Sequence, residues 1–121
     1  MPLTGEELIQ QYFMFIDNKD LDGILSLFDY DAVVYEPFSN ITGGLKGRSS
    51  IEPFLKVAMM ANTGLERTIK IEKPSGGKRN TGKLIALISF ERGDRVKSKF
   101  TFEFGDSPAG KKIKSLHIEF L

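Results

Sequence analysis

The 121-residue chain contains no cysteine, no tryptophan and a single histidine, His117. Without thiols there is no disulfide framework, no cysteine nucleophile and no thiolate metal site. One imidazole and scattered carboxylates leave a first-row metal centre short of ligands, so no metal and no cofactor is expected. Long hydrophobic runs are missing too, since no stretch approaches the ~20 apolar residues that span a bilayer. The opening Met1-Pro2-Leu3-Thr4-Gly5-Glu6-Glu7 has no basic segment followed by an apolar one, so the expected location is cytoplasmic. An excess of one charge is also lacking: the net charge is +1, which draws neither nucleic acid nor acidic partners to the molecule as a whole. Gly43-Gly44, Gly47 and Gly76-Gly77 do not have the spacing of a phosphate loop.

What is present is the composition of a soluble globular protein, 40% hydrophobic and 27% charged. The length suits a single domain over residues 1–121 with one core of ordinary size. Charge is unevenly spread along it. Residues 1–62 carry four Lys/Arg against nine Asp/Glu, and residues 63–121 carry 13 against seven. Lys97, Lys99, Lys111, Lys112 and Lys114 read as solvated strand faces that discourage edge pairing. They are not interleaved with aromatics, as a platform for stacked bases requires, so no nucleic-acid partner is expected.

Thr4-Gly5-Glu6-Glu7 has the form of a capping box, and Leu8, Tyr12, Phe15 and Ile16 follow as the apolar stripe of a first helix. Asp20 is placed to cap a second, with Leu21, Ile24, Leu25 and Phe28 at i, i+3, i+4 and i+7. Ser49 or Ser50 caps a third, in which Phe54, Leu55, Val57, Ala58 and Met59 are apolar nearly all round and predict burial on more than one side. Asn62-Thr63-Gly64 ends it. Asn40-Ile41-Thr42 matches a glycosylation acceptor, discounted for want of a secretory route.

After Gly64 the period changes to two. Arg67 to Lys73 alternates through Ile69 and Ile71; Leu84 to Phe90 is the continuous apolar run of a strand covered on both faces. Val96, Ser98, Phe100, Phe102 and Phe104 alternate with charged and polar residues, and Ile113 to Leu121 closes the chain. Pro74 to Gly77, Asn80 to Gly82, Arg92-Gly93-Asp94 and Gly105 to Gly110 mark the turns. The pattern is α+β: three N-terminal helices packed on one face of a strongly curved antiparallel sheet, a cone with a cavity between the layers. No Ser-His-Asp constellation fits such an arrangement.

The stretch Asp31-Ala32-Val33-Val34-Tyr35-Glu36-Pro37-Phe38 is the most informative. Side chains alternate across a strand, so Ala32, Val34 and Glu36 share one face. If that face is the core, an acid enters it at the strand's open end, with Pro37 holding its backbone extended. An acid among apolar groups is costly unless protonated, paired or acting on a ligand. Glu36 is therefore either a general base or a strand-end acid that is solvated or bonded to a nearby N–H or lysine. Tyr12 is either a donor to a ligand carbonyl or a core tyrosine whose hydroxyl finds any partner. His117 is out of phase with Leu116, Ile118 and Phe120 and belongs on the opposite face.

Gln11-Tyr12, Asp17 to Ile24, Asp31 to Phe38, Gly47-Arg48-Ser49-Ser50-Ile51 and Lys112-Ile113-Lys114-Ser115-Leu116 together resemble the nuclear-transport-factor-2-like (NTF2-like), or SnoaL-like, cystatin-like cone, and within it the ketosteroid isomerases. The resemblance covers nearly the whole chain. It implies a general base at Glu36, a carbonyl donor at Tyr12 and proton transfer next to a carbonyl. It implies a homodimer as well, through the outer sheet face that carries Tyr35, Ser115 and His117. The pattern departs from the isomerases in four places: the base is Glu where they have Asp, their second oxyanion donor falls at Phe100, and two supporting tyrosines fall at Phe28 and Leu55. An apolar small molecule is the expected ligand, contacted by Phe38, Phe54, Phe100, Phe102, Leu116 and Phe120. The alternative is a non-catalytic ligand-binding or dimerisation module of the same fold.

Overall fold

The computed structural model describes residues 4–37, 43–61, 67–73, 82–90, 98–108 and 110–120. Phe38, Asn40-Ile41-Thr42, Asn62-Thr63-Gly64, Pro74 to Gly77, Asn80-Thr81, Arg92-Gly93-Asp94 and Val96-Lys97 lie outside them. Helix α1 runs Gly5–Asn18, with both halves of the capping box made: Glu7 N–H donates to Thr4 Oγ1 at 3.1 Å and Thr4 N–H to Glu7 Oε1 at 2.9 Å. Its apolar stripe buries Leu8, Ile9, Tyr12, Phe13 and Ile16. It stops at Lys19, which takes the left-handed conformation at φ 55. Asp20 caps the short α2, Leu21–Leu25, by accepting from Gly23 N–H at 2.9 Å.

The periodicity extends the second helix to Phe28, but Phe28 opens a strand. β1 covers Phe28–Tyr35, β2 Leu45–Lys46, and α3 Arg48–Ala61 follows before β3 Arg67–Glu72, β4 Lys83–Phe90, β5 Ser98–Ser107 and β6 Gly110–Phe120. The helices are thus not three in a row at the N-terminus. Only α1 and the five-residue α2 precede the sheet, and α3 is inserted after β2. Nor is the sheet purely antiparallel. Its order is β2-β1-β6-β5-β4-β3, and β1 runs parallel to β6 while every other neighbour is antiparallel. The fold is α+β with a curled mixed sheet.

Phe28 leaves the helical pattern because both carbonyls at this corner are taken. Ile113 N–H donates to Leu27 O at 2.8 Å, and Arg48 donates to Phe28 O from Nε at 3.1 Å and Nη2 at 2.6 Å. The Arg48 guanidinium also lies 4.2 Å from the centre of the Tyr30 ring. It is fixed there because Gly47, at φ +84, turns the chain and accepts the first amides of α3 from Ser50 and Ile51. The helix therefore begins one residue ahead of Ser49. It is also less enclosed than its sequence suggests: Ile51, Leu55 and Met59 are buried, whereas Val57 and Met60 are exposed.

The inner face of the sheet follows one phase. Val34 pairs with Leu116 and Leu116 with Phe102; Ile118 pairs with Phe100 and Phe120 with Ser98. Ser98 then faces Ile88 and Ile88 faces Ile69, and Arg67 stands two residues before Ile69 at the start of the edge strand. On the outer face, Ile85 and Leu87 of β4 are only half-buried rather than covered. By register they sit beside Thr101 and Lys99 on one strand and Glu72 and Lys70 on the other. An irregularity between Glu103 and Phe104 makes Lys114 an extra residue in β6, which lets Ile113 and Leu116, three apart, both point inward. Lys114 Nζ reaches Asp29 Oδ2 at 3.1 Å and holds that carboxyl below its usual range.

Hydrogen bonds from a charged donor contribute about 1.5–3 kcal/mol when part-buried. Arg48→Met is expected to lower unfolding free energy in urea by about that much, with helix content retained. A change within about 0.5 kcal/mol, the range of ordinary surface substitutions, would mean the corner does not depend on this contact.

Candidate active site

Alternation brings polar side chains to one end of the inner face, where β1 and β6 finish and β3 and β5 start. A cavity of about 640 Å³ opens there between α1, α3 and the sheet, a size that takes a small organic molecule. Its wall among the described residues is apolar except for Tyr12, Glu36, Ser50, Arg67 and Ser98.

Tyr12 comes from the stripe of α1 and is 2% exposed. Its ring is held edge-on by Phe13 at 5.0 Å, Phe102 at 5.5 Å, Phe100 at 6.2 Å and Phe28 at 6.3 Å between centroids. Such contacts each contribute about 0.5–1.5 kcal/mol beyond burial and leave the ring little choice of position. No described residue hydrogen-bonds the hydroxyl, and no polar side-chain atom is both enclosed and unpartnered, so the hydroxyl opens onto the cavity. Burial pushes the phenol well above its ordinary value of 10.0, and the positive charge of Arg67 pulls it only part of the way back. The group is a neutral donor at any physiological pH.

Glu36 follows β1 in phase with Ala32 and Val34, both fully buried, and its half-buried side chain lines the cavity. Arg67 lines it from the other side. It opens β3 in phase with Ile69 and Ile71, and its side chain is 5% exposed. Its Nη2 meets Asp17 Oδ1 at 2.8 Å, and its guanidinium lies 5.3 Å from the centre of the Phe13 ring. From β1 to β3 there are four strand spacings, about 19 Å along a flat sheet at ~4.8 Å each and less across the curl. The acid and the cation therefore occupy opposite walls. Ser98, 3% exposed, lies between them on β5.

Of the residues singled out from sequence, Tyr12, Glu36, Phe54, Phe100 and Phe120 meet in this cavity. Phe102 and Leu116 do not. Both are fully buried and neither lines the cavity. Phe38 is outside the described residues. Arg67 and Ser98 were missed, although each stands in phase with inward apolar neighbours, Ile69 and Ile71 for one and Phe100 and Phe102 for the other. His117 is exposed on the outer face, its ring 5.5 Å from that of Tyr35. Among the described residues no three His, Cys, Asp or Glu side chains gather as a metal site would require, and no helix is long and apolar enough to cross a membrane.

No family profile and no curated protein matches the sequence. Solved structures do match the fold. A SnoaL-like protein of unknown function from Burkholderia thailandensis is 16% identical with a TM-score of 0.70, covering 99% of each chain. An NTF2-like protein of unknown function from Pseudomonas putida is 17% identical with a TM-score of 0.65, over 94% of this chain and 82% of its own. SalBIII, an epoxide hydrolase/cyclase-like enzyme of pyran ring formation in the polyether salinomycin, is 20% identical with a TM-score of 0.62, over 96% and 89%.

A raised phenol pKa makes stability depend on alkaline pH. Below pH 10 the phenol is neutral in both states; above it the unfolded chain loses its proton first and is favoured. The urea midpoint is expected to fall more steeply above pH 10 in the wild type than in Tyr12→Phe. Equal slopes would place the hydroxyl in water.

Proposed function

The chain has the NTF2-like, SnoaL-like fold, and on that premise we propose that it binds an apolar small molecule and moves a proton next to the carbonyl of that molecule. Glu36 is the general base and Tyr12 the donor to the carbonyl oxygen. Phe54, Phe100 and Phe120 contact the apolar body. The observation that carries this reading is that a strand-end carboxylate and a neutral phenol line one largely apolar cavity. A base works on a carbon acid when a second group stabilises the charge that develops on oxygen, and a water-poor wall strengthens that interaction.

Steroid isomerisation in the manner of the ketosteroid isomerases is the finer form of the proposal, and the side chains bear on it. The resemblance puts the second donor of that chemistry at Phe100, which lines the cavity and cannot donate. A single phenol suits a carbonyl whose enolate is already stabilised by conjugation. Tyr35, 41% exposed beside His117 on the outer face, supports pairing of two copies there.

Exchange of solvent deuterium into the carbon next to the carbonyl of apolar cyclic enones, followed by NMR, tests the chemistry. Glu36→Gln is expected to reduce the enzyme-dependent rate by about 10²–10⁴-fold and Tyr12→Phe by about 10²–10³-fold, both at near wild-type stability. Binding retained without exchange in the wild type would leave a ligand-binding module. Sedimentation equilibrium checks the pairing: Tyr35→Asp is expected to shift a dimer towards monomer, and an unchanged mass would clear the outer face of that role.

A further inference from the structure

Proton transfer next to a carbonyl gives no task to Arg67. Its place is nonetheless specific. An arginine whose side chain is 5% exposed forms part of the wall of a largely apolar cavity, in phase with Ile69 and Ile71, its guanidinium 5.3 Å from the Phe13 ring. Asp17, one of its partners, reaches it at 2.8 Å with its own side chain 52% exposed. The pair is therefore lopsided: the carboxylate is half exposed while the arginine side chain is buried against the cavity. Arg is weakly hydrated and stacks on aromatic rings, and its planar fork matches a carboxylate.

From this arrangement we infer that the ligand carries a carboxylate at one end of its apolar body and that Arg67 receives it. The opposite wall supplies the complementary constraint. Glu36 lies four strands away across the sheet, and its charge repels an anion placed beside it. An amphipathic acid therefore enters in one direction only, with its head at β3 and its apolar length across Phe100 and below Tyr12. Asp17 is a positioning residue, which holds the fork in the wall. The inference rests on the cavity being a ligand site, as proposed above, but not on any chemistry by Glu36 or Tyr12.

The test compares dodecanoate with dodecan-1-ol, both below micelle-forming concentration, by displacement of the neutral dye Nile red from the full chain at pH 8. Dodecanoate is expected to bind at least tenfold more tightly than the alcohol. Arg67→Met is expected to bring the ratio near one, and Arg67→Lys to keep part of it. A wild-type ratio near one overturns the inference and leaves the cavity reading standing; so does a preference for the acid that survives Arg67→Met. Failure of both probes to bind overturns the two together. A purely structural Arg67 predicts a lower unfolding midpoint in Arg67→Met with the ratio untouched. The wild-type ratio and the Arg67→Lys comparison decide the matter even where Arg67→Met does not fold.

Discussion

The parallel pairing of β1 with β6 is the contact on which the rest of the site depends. Val34 opposite Leu116 and Tyr35 opposite His117 set the phase of β1, and that phase sends Glu36 inward two residues after Val34. The same phase passes from β6 to β5 at Phe120 and Ser98, then to β4 at Ile88, and reaches the edge at Arg67. A slip of one residue at any of these pairs exchanges the whole inward set for the outward one. The cavity's chemistry is thus written in the register of five strands rather than in one loop.

Tyr12 and Glu36 were legible because each follows from a local period. Tyr12 lies on a helical stripe with Leu8 and Ile16, and Glu36 continues the alternation of Ala32 and Val34 into Pro37. The antiparallel meander from β3 onward was legible for the same reason. The parallel strand was not, because nothing within residues 28–35 states which distant partner will pair with them. Phe28 was misassigned because i+7 spacing and the first inward position of a strand make the same demand on an apolar residue. Phe100 and Phe102 share one strand face and both touch Tyr12, yet only Phe100 lines the cavity, a distinction that the alternation of a strand does not carry. Arg67 and Ser98 carried a signal of phase that composition hides, since both are polar residues in apolar company.

The cavity also has a direction. A neutral phenol stands over the middle, a carboxylate on one wall and a guanidinium on the other, with phenylalanines between them. Charges in poor contact with water act over longer distances than charges on a surface. An entering molecule therefore meets a potential that changes sign along its length. In the proposed binding mode, apolar burial supplies the affinity and the few polar groups supply orientation.

The extra residue at Lys114 has a consequence for how this chain tolerates changes of length. It divides β6 into two lengths that need not keep step: Ile113 in the first half packs the core near α2, and Ile118 and Phe120 in the second line the cavity. A change of register confined to the hairpin side of that point leaves the pairs from Glu103–Ser115 to Ser98–Phe120 in phase. A one-residue slip on the other side exchanges Ser98 and Phe100 for Lys99 and Thr101 on the cavity face, so the two ends of the hairpin differ in what a change of length does to the cavity.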